Sequence, residues 1–474
     1  MCDVVQFPLM SRSGKLSNLV ALEANNNNNN NNNKSSNNVS SSSSSSSSSP
    51  ASASDTNEHN QSMNTCRMKL RDMPGGPHAF EMVAKFCYSL TVELSPANVA
   101  SLICAAHYLD MSEDYGENNL ISLTDTFLNN IVMTSWKDCV TTLKSCESLL
   151  PLAEELGIVK KCVDSMVLKV WKDPHGQLVG WSKNSLQSPD GTLLWNGIST
   201  GAKPRRKPMM GWWYEDVTVL SFPFFKVVIE SMQEKGLRKE AICGAIVHYA
   251  KKFIPGLANQ RELNGNNHKK ANDNVNQEQS SSSTWDRFLS INNDGQYDEE
   301  VLMLLESIEN LLPMNNVHQG EVHNHNNVVP TNFLLGLLKI AMILNASNAC
   351  KASLEKRIGM QLNQLTCVDD LLIPSYSHMC ETLYDVECVE RIMKHFIMLN
   401  SCETPSSVSS INYTSPNYIN VRNVSRLLDE YLAEIASDPN LKPSKFRALV
   451  ETLPPYAREV DDGLYRAIDI FIKV

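Results

Sequence analysis

From Gly75 onward, apolar residues recur every three or four positions, and polar stretches cut that rhythm at intervals. A chain patterned this way folds into amphipathic helices that each bury one face. Gly75-Gly76-Pro77 breaks the chain and places a proline near a helix start. Ala79, Val83, Phe86, Cys87 and Leu90 then share one face, and Val99, Leu102, Ile103 and Ala106 make the next. Leu120, Leu123, Phe127 and Ile131 follow, then Trp136, Val140, Leu143 and Leu150. Leu152, Leu156, Val159, Val163, Met166 and Val170 complete a run of five helices. Strand-like alternation is almost absent after Leu94, so the period predicts a mostly α protein.

A second helical block opens after Trp212. Val217, Leu220, Phe224, Phe225, Val228 and Met232 lie on one face, and Gly236 suits the left-handed position that ends a helix. Ile242, Ile246, Tyr249 and Phe253 follow, stopped by Pro255-Gly256. Val301 to Leu312, Phe333 to Leu344, Leu354 to Leu365, Val386 to Ile397 and Val424 to Ile435 repeat the pattern. Phe446, Leu449 and Leu453, then Leu464, Ile468 and Phe471, supply the last two apolar faces.

The interruptions are as informative as the helices. Asn25–Asn33 and Ser40–Ser49 are homopolymer tracts, and neither can bury enough apolar surface to offset the ordering of its backbone. Residues 25–65 are therefore expected to be disordered. A Gly-, Ser- and Pro-rich linker covers 174–211, and polar loops are expected near 259–290, 314–328 and 402–420. The linker contains Lys203-Pro204-Arg205-Arg206-Lys207, which reads as a solvated linker end or as a site for nuclear import or an anionic surface.

The search for chemistry is largely negative. Among 474 residues there is no G-x-S-x-G, no phosphate-binding G-x-x-x-x-G-K-[ST], no H-E-x-x-H and no G-x-G-x-x-G. The 13 cysteines are scattered with no C-x-x-C, and Cys87, Cys139 and Cys162 fall on apolar faces, as small buried hydrophobes do. His318, His323 and His325 cluster in an Asn-rich stretch without a carboxylate or thiol at ligand spacing. Asp369-Asp370 and Asp461-Asp462 are adjacent in sequence and so do not face one another as an acid–base pair. A net charge of -10 argues against nucleic acid as the partner. No run reaches the length of a membrane span, because Lys339 interrupts the most apolar stretch, and no signal-peptide layout opens the chain. No cofactor or metal is expected.

One residue has a candidate modification. Arg458, Asp461 and Tyr465 fit the loose spacing of a tyrosine-phosphorylation site. Tyr465 also adjoins Leu464 and Ile468, which makes a buried packing tyrosine the expected reading.

Several long blocks resemble the plant non-phototropic-hypocotyl (phototropic-response) family of BTB/POZ proteins. Phe7-Pro-Leu-Met-Ser-Arg-Ser-Gly-Lys-Leu16 resembles the first long helix of that family's BTB/POZ domain. The runs Asp72–Tyr88 and Asn98–Met111 resemble the elements that follow. Trp212-Trp-Tyr-Glu-Asp-Val217, His248-Tyr-Ala-Lys-Lys252, Arg357–Leu362, Asp369–Ser375, Leu383–Val386 and Tyr456–Asp469 are similar to blocks of its second, helical domain. Two departures stand out: Val5-Gln6 replaces the usual His-Lys, and the opening strand hairpin has no counterpart.

The resemblance implies a partial α+β BTB/POZ domain followed by an all-α domain, truncated at both ends. Residues 1–24 would be the first BTB/POZ helix, 66–173 the rest of that domain with the helices after it, and 212–474 the helical domain. It further implies a non-catalytic substrate-recognition adaptor of a cullin-RING ubiquitin ligase in phototropic signalling. The alternative is a scaffold that binds a membrane-associated blue-light receptor kinase without ubiquitin transfer. The implied partners are a cullin scaffold, a receptor kinase or substrate protein, and a second BTB/POZ domain. The implied location is the cytoplasm or the inner face of the plasma membrane.

Overall fold

The computed structural model describes residues 6–22, 70–173, 211–257, 295–313, 328–375, 382–400, 416–458 and 460–474, with the backbone of 194–195 and 198–199. The Asn and Ser tracts, the Lys203–Lys207 run, the three clustered histidines and the stretch 259–290 lie outside these residues. The chain divides into two compact units. The first holds the residues up to Asp173 with Val219–Phe224, and the second holds Ser185–Thr218 and Phe225–Val474.

The first unit begins with α1 (Gln6–Arg12) and α2 (residues 14–22). It continues with α3 (Gly76–Cys87), α4 (Val99–Tyr108) and α5 (Leu120–Asn130). It closes with α6 (Trp136–Ser145), α7 (Leu152–Glu155) and α8 (Ile158–Lys172). Glycine is required just before α3: Gly75 has φ 73°, and a Cβ there would stand 2.7 Å from that of Ala79 and 2.9 Å from that of Ser101. Asn119 caps α5 by accepting from the Leu120 N–H, and Ser135 caps α6 by accepting from the Asp138 N–H.

Leu9 and Leu16 join Val83, Leu102, Leu109 and Leu120 in one core, across the long polar stretch that separates them in sequence. Polar groups fix that docking. The Ser13 hydroxyl donates to the Leu109 carbonyl at 2.5 Å, the Gly14 N–H donates to the Asp110 carbonyl, and Asn119 Nδ2 donates to the Arg12 carbonyl. Lys15 and Arg12 lie over the rings of Tyr108 and Phe86.

Three expected faces shift in this unit, the first being that of α6, which ends at Ser145 and leaves Leu150 exposed while Leu149 is buried. Helix α3 ends at Cys87, which leaves Leu90 past its end and exposed. In α5 the buried row is Leu120, Thr124 and Leu128, while Leu123 and Ile131 face outward. Thr124 is accepted in the core because its hydroxyl donates to the Leu120 carbonyl at 2.7 Å. Among the described residues of this unit none forms a strand, and Leu90–Ser95 makes no ladder, so the partial α+β character is not seen and the helical part is.

The second unit starts with α9 (Tyr214–Val217). The face expected to run unbroken from Val217 to Met232 is split. Helix α9 closes where the Thr218 hydroxyl donates back to the Glu215 carbonyl, and α10 (Phe222–Glu234) restarts with Pro223 in its first turn. Gly236, at φ 71°, ends α10 as expected: its N–H donates to the Gln233 carbonyl and that of Leu237 to the Met232 carbonyl. Then come α11 (Lys239–Phe253), α12 (Gly295–Leu311), α13 (Thr331–Ile343) and α14 (Asn348–Gly359). Helices α15 (Val386–Asn400), α16 (Pro416–Ile435), α17 (Pro443–Val450) and α18 (Asp462–Lys473) complete it. Helix α16 thus starts inside the stretch 402–420 expected as loop, with a proline at its first position, where a missing N–H costs nothing.

Helix α13 is buried nearly all round, and α14 packs on both α13 and α15. Helix α18 lies along α16, where Gly463 lets the backbones close up: a Cβ there would be 2.9 Å from the Asp429 Cβ. Among the described residues the β-structure is limited to an antiparallel ribbon, β1 (Leu194–Trp195) with β2 (Ile198–Ser199), and a bridge between Pro374 and Tyr384. Among the described residues no helix is long and apolar enough to cross a membrane.

Candidate functional site

Three arginine–carboxylate pairs brace the second unit, and each ties together helices far apart in sequence. Arg357 on α14 reaches α12: its Nε donates to Glu309 Oε1 at 3.2 Å, and its two terminal nitrogens donate to the Leu312 and Pro313 carbonyls. Ser353 adds a 2.5 Å hydrogen bond to the same Glu309 oxygen. Arg391 on α15 grips Glu355 on α14 with two bonds of 2.8 Å. Arg458 donates to Asp429 on α16 at 3.0 Å. The Arg357 and Arg458 pairs are nine-tenths buried, whereas Arg391 keeps half its surface in solvent over a buried Glu355. Burial pushes the Asp429 carboxyl above its usual range, against the pull of Arg458.

A fourth charged group lies on the surface. Glu215 on α9 receives His248 Nε2 at 2.8 Å and Lys252 Nζ at 3.1 Å, both from α11, and Lys252 also donates to the Thr218 hydroxyl. Hydrogen bonds from His248 and Lys252 hold the Glu215 carboxyl below the ordinary range. Tyr214 stands beside this group, its hydroxyl raised to about 12 by burial. The cluster is solvent-exposed and ties α9 to α11.

Other groups also fail to assemble a reacting centre. Lys339 faces Asp369 and Asp370, with burial lowering the lysine and raising Asp370. A cavity of about 300 Å³ is lined by Val247, Lys251, Leu257, Thr331, Phe333 and Gln364, a mixed set without a nucleophile–base pair. Cys87 and Cys104 are raised to about 11 and Cys146, Cys243 and Cys350 to about 12 by burial, which leaves them as neutral thiols. Among the described residues no group of three His, Cys, Asp or Glu side chains could hold a metal ion.

Tyr465 stands elsewhere than expected. It is not a packing residue: it is 69% exposed on the outer side of α18, whose only fully buried residue is Ala467. Leu464, Ile468 and Phe471 are half-buried, Phe471 stacking on Phe446 at 4.7 Å. The sequence placed all four on one apolar face, but α16 approaches along Gly463 and Ala467, and that rotation leaves Tyr465 outside. The structure does not join Tyr465 to Arg458, which is turned inward onto Asp429.

The arginine braces escaped the sequence reading because their partners are 29 to 48 residues apart. The blocks that resemble the family meet one another elsewhere. Tyr214–Val217 meets His248–Lys252, and Ile373–Ser375 meets Leu383–Asp385 through a backbone bridge in which the Asp385 N–H donates to the Ile373 carbonyl. Each pair of blocks is one contact, written twice in the sequence.

No solved structure matches the chain. A BTB/POZ domain-containing protein of Arabidopsis thaliana is 44% identical over 425 residues, covering 86% of this chain and 59% of that protein. Root phototropism protein 2 of the same plant is 34% identical over 418 residues, 87% of this chain and 60% of that protein. The chain thus spans about three-fifths of the length of these relatives. The model of the NPH3 family matches residues 211–474, the whole of the braced helical region, and the chain belongs to the NPH3 family.

Proposed function

We propose that the chain is a non-catalytic adaptor that recruits a target protein to a cullin-RING ubiquitin ligase, in the light-directed growth signalling of a plant. What supports this reading is a match over most of the chain to a relative named as a BTB/POZ domain-containing protein, together with an NPH3-family helical unit crossed by buried arginine–carboxylate pairs. Recognition by helical faces needs rigidity and exposed anchors and no activated group. In this reading the first unit docks the cullin and a second BTB/POZ domain, and the second unit holds the substrate. The adaptor works in the cytoplasm or at the inner face of the plasma membrane, and phosphorylation of Tyr465 adds a near-dianion to an accessible helix.

The test is co-purification of the full chain with a cullin scaffold from plant cells. Retention of cullin, lost when Ser13 and Asn119 are replaced together, is the expected result. A full-length chain that captures no cullin overturns the proposal. The alternative is a scaffold for a membrane-associated blue-light receptor kinase without ubiquitin transfer, also within the phototropic signalling that the name of the second relative points to. That reading expects kinase binding by residues 211–474 and no change in target ubiquitination when the chain is removed.

A further inference from the structure

The last nineteen residues concentrate exposed apolar surface: Tyr456, Val460, Tyr465, Ile472 and Val474 all face outward. Within α18, Tyr465 and Ile472 are seven residues apart, two helical turns, and so share one face with the half-buried Ile468 between them. They are 69% and 76% exposed. A helix that has buried its inner side against α16 presents this second apolar stripe to a partner.

The charges beside the stripe say what fits it. Asp462, Arg466, Asp469 and Lys473 follow one another at spacings of four, three and four residues, which places them in one row along the stripe's edge. All four are exposed. Both the spacing and the signs are self-complementary on reversal: minus, plus, minus, plus read backwards is plus, minus, plus, minus. An antiparallel second copy of the helix therefore sets Asp462 opposite Lys473 and Arg466 opposite Asp469, twice over, while the Tyr465–Ile468–Ile472 stripes meet. A parallel two-fold copy would carry the two rows to opposite sides of the contact, where these pairs do not form.

We infer that α18 pairs antiparallel with α18 of a second copy of this chain, around a two-fold axis between Ala467 and Ile468. This contact does not depend on cullin docking by the first unit, although it shares Tyr465 and the second unit with the adaptor reading. A helix of 12 residues is about 18 Å long, so the contact is small and gains strength when another contact already holds two copies together.

Ile468 lies next to the axis, which makes the pairing testable in the full chain. Ile468→Cys under mild oxidation should give a disulfide-linked dimer that reductant dissolves, while the unsubstituted chain gives none. Adding Asp462→Lys with Asp469→Lys makes the row all positive and should cut cross-linking at least tenfold. Adding Arg466→Asp with Lys473→Asp makes it all negative and should do the same. Mixing the two charge variants should restore a mixed dimer, an outcome that loss of folding or of pairs within one helix cannot produce. Cross-linking indifferent to charge, or absent while the introduced thiol is open to maleimide, overturns the inference. An introduced thiol that is shielded from maleimide in a monomer also overturns it, since the chain's own polypeptide would then cover the stripe.

Discussion

The two units solve the same problem, holding distant helices together, with different chemistry. In the first, most long-range ties are neutral side chains aimed at main-chain carbonyls, Ser13 to Leu109, Asn119 to Arg12 and Thr142 to Pro96, with one lysine, Lys169, donating to the Met133 carbonyl. The two ion pairs described there, Lys85–Glu81 and Lys161–Asp125, are both exposed. In the second, the long-range ties are arginines on carboxylates, two of them almost fully buried. A neutral tie that is cut leaves a carbonyl short of one donor. A buried ion pair that is cut leaves a charge without a counter-charge, a far larger penalty. The second unit is therefore held in one arrangement more strictly than the first, as suits a surface that must present fixed anchors.

The comparison breaks most readily at Arg357. Arg357→Ala should cost the second unit about 3–5 kcal/mol, because Glu309 loses its counter-charge and two carbonyls at the end of α12 lose their donor. In hydrogen exchange, α12 and α14 should lose protection while α3 to α8 keep theirs; a loss under about 1 kcal/mol removes the contrast. Asn119→Ala should cost the first unit less, about 2 kcal/mol by chemical denaturation, although it removes a helix cap and two carbonyl contacts.

The next test separates charge from geometry. Replacing both partners, Arg357→Met with Glu309→Leu, should bring the second unit back to within about 1–2 kcal/mol of the native chain. A double variant as unstable as Arg357→Ala would show that the carbonyl contacts matter more than the charge.

The smallest effect separates surface from interior by the sign of a pH response. Glu215 has a lowered pKa in the folded state, so its stabilising share is complete above the ordinary carboxylate range and fades as pH falls through it. Because Glu215 is solvated, this step should be small and should vanish in high salt and in Glu215→Gln. Asp429 has a raised pKa, so its share is complete at low pH and is lost as pH rises through the carboxylate range. Differential denaturation of Glu215→Gln and Asp429→Asn across acid pH should show slopes of opposite sign.

Much of the helical content was legible in the sequence, because a period of 3.6 needs only local information. The α10 terminator was legible for the same reason: Gly236 announces a left-handed residue without reference to anything distant. What failed was the direction of each face. Thr124 displaced Leu123 from the α5 core because a threonine can satisfy its own hydroxyl on the preceding turn. Tyr465 fell outside because two small residues, Gly463 and Ala467, drew α16 to their side of the helix. The arginine braces were illegible in principle: no local pattern pairs Arg357 with Glu309. The family blocks hold Arg357 and Arg458 but not their partners Glu309 and Asp429.

The buried thiols have a consequence for how the molecule could be watched at work. Cys87, Cys104, Cys139, Cys146, Cys162, Cys243, Cys350 and Cys388 are all buried, while Cys367 is only partly covered. A sulfur that is both shielded and kept neutral does not react until its helix lifts away. A timed pulse of alkylating reagent, read by mass spectrometry, would therefore record which helices had opened and in what order. Sequence position serves as the address: α3, α4, α6 and α8 on one side of the record, α11, α14 and α15 on the other. The chain carries its own distributed clock of local opening, with no label to be added.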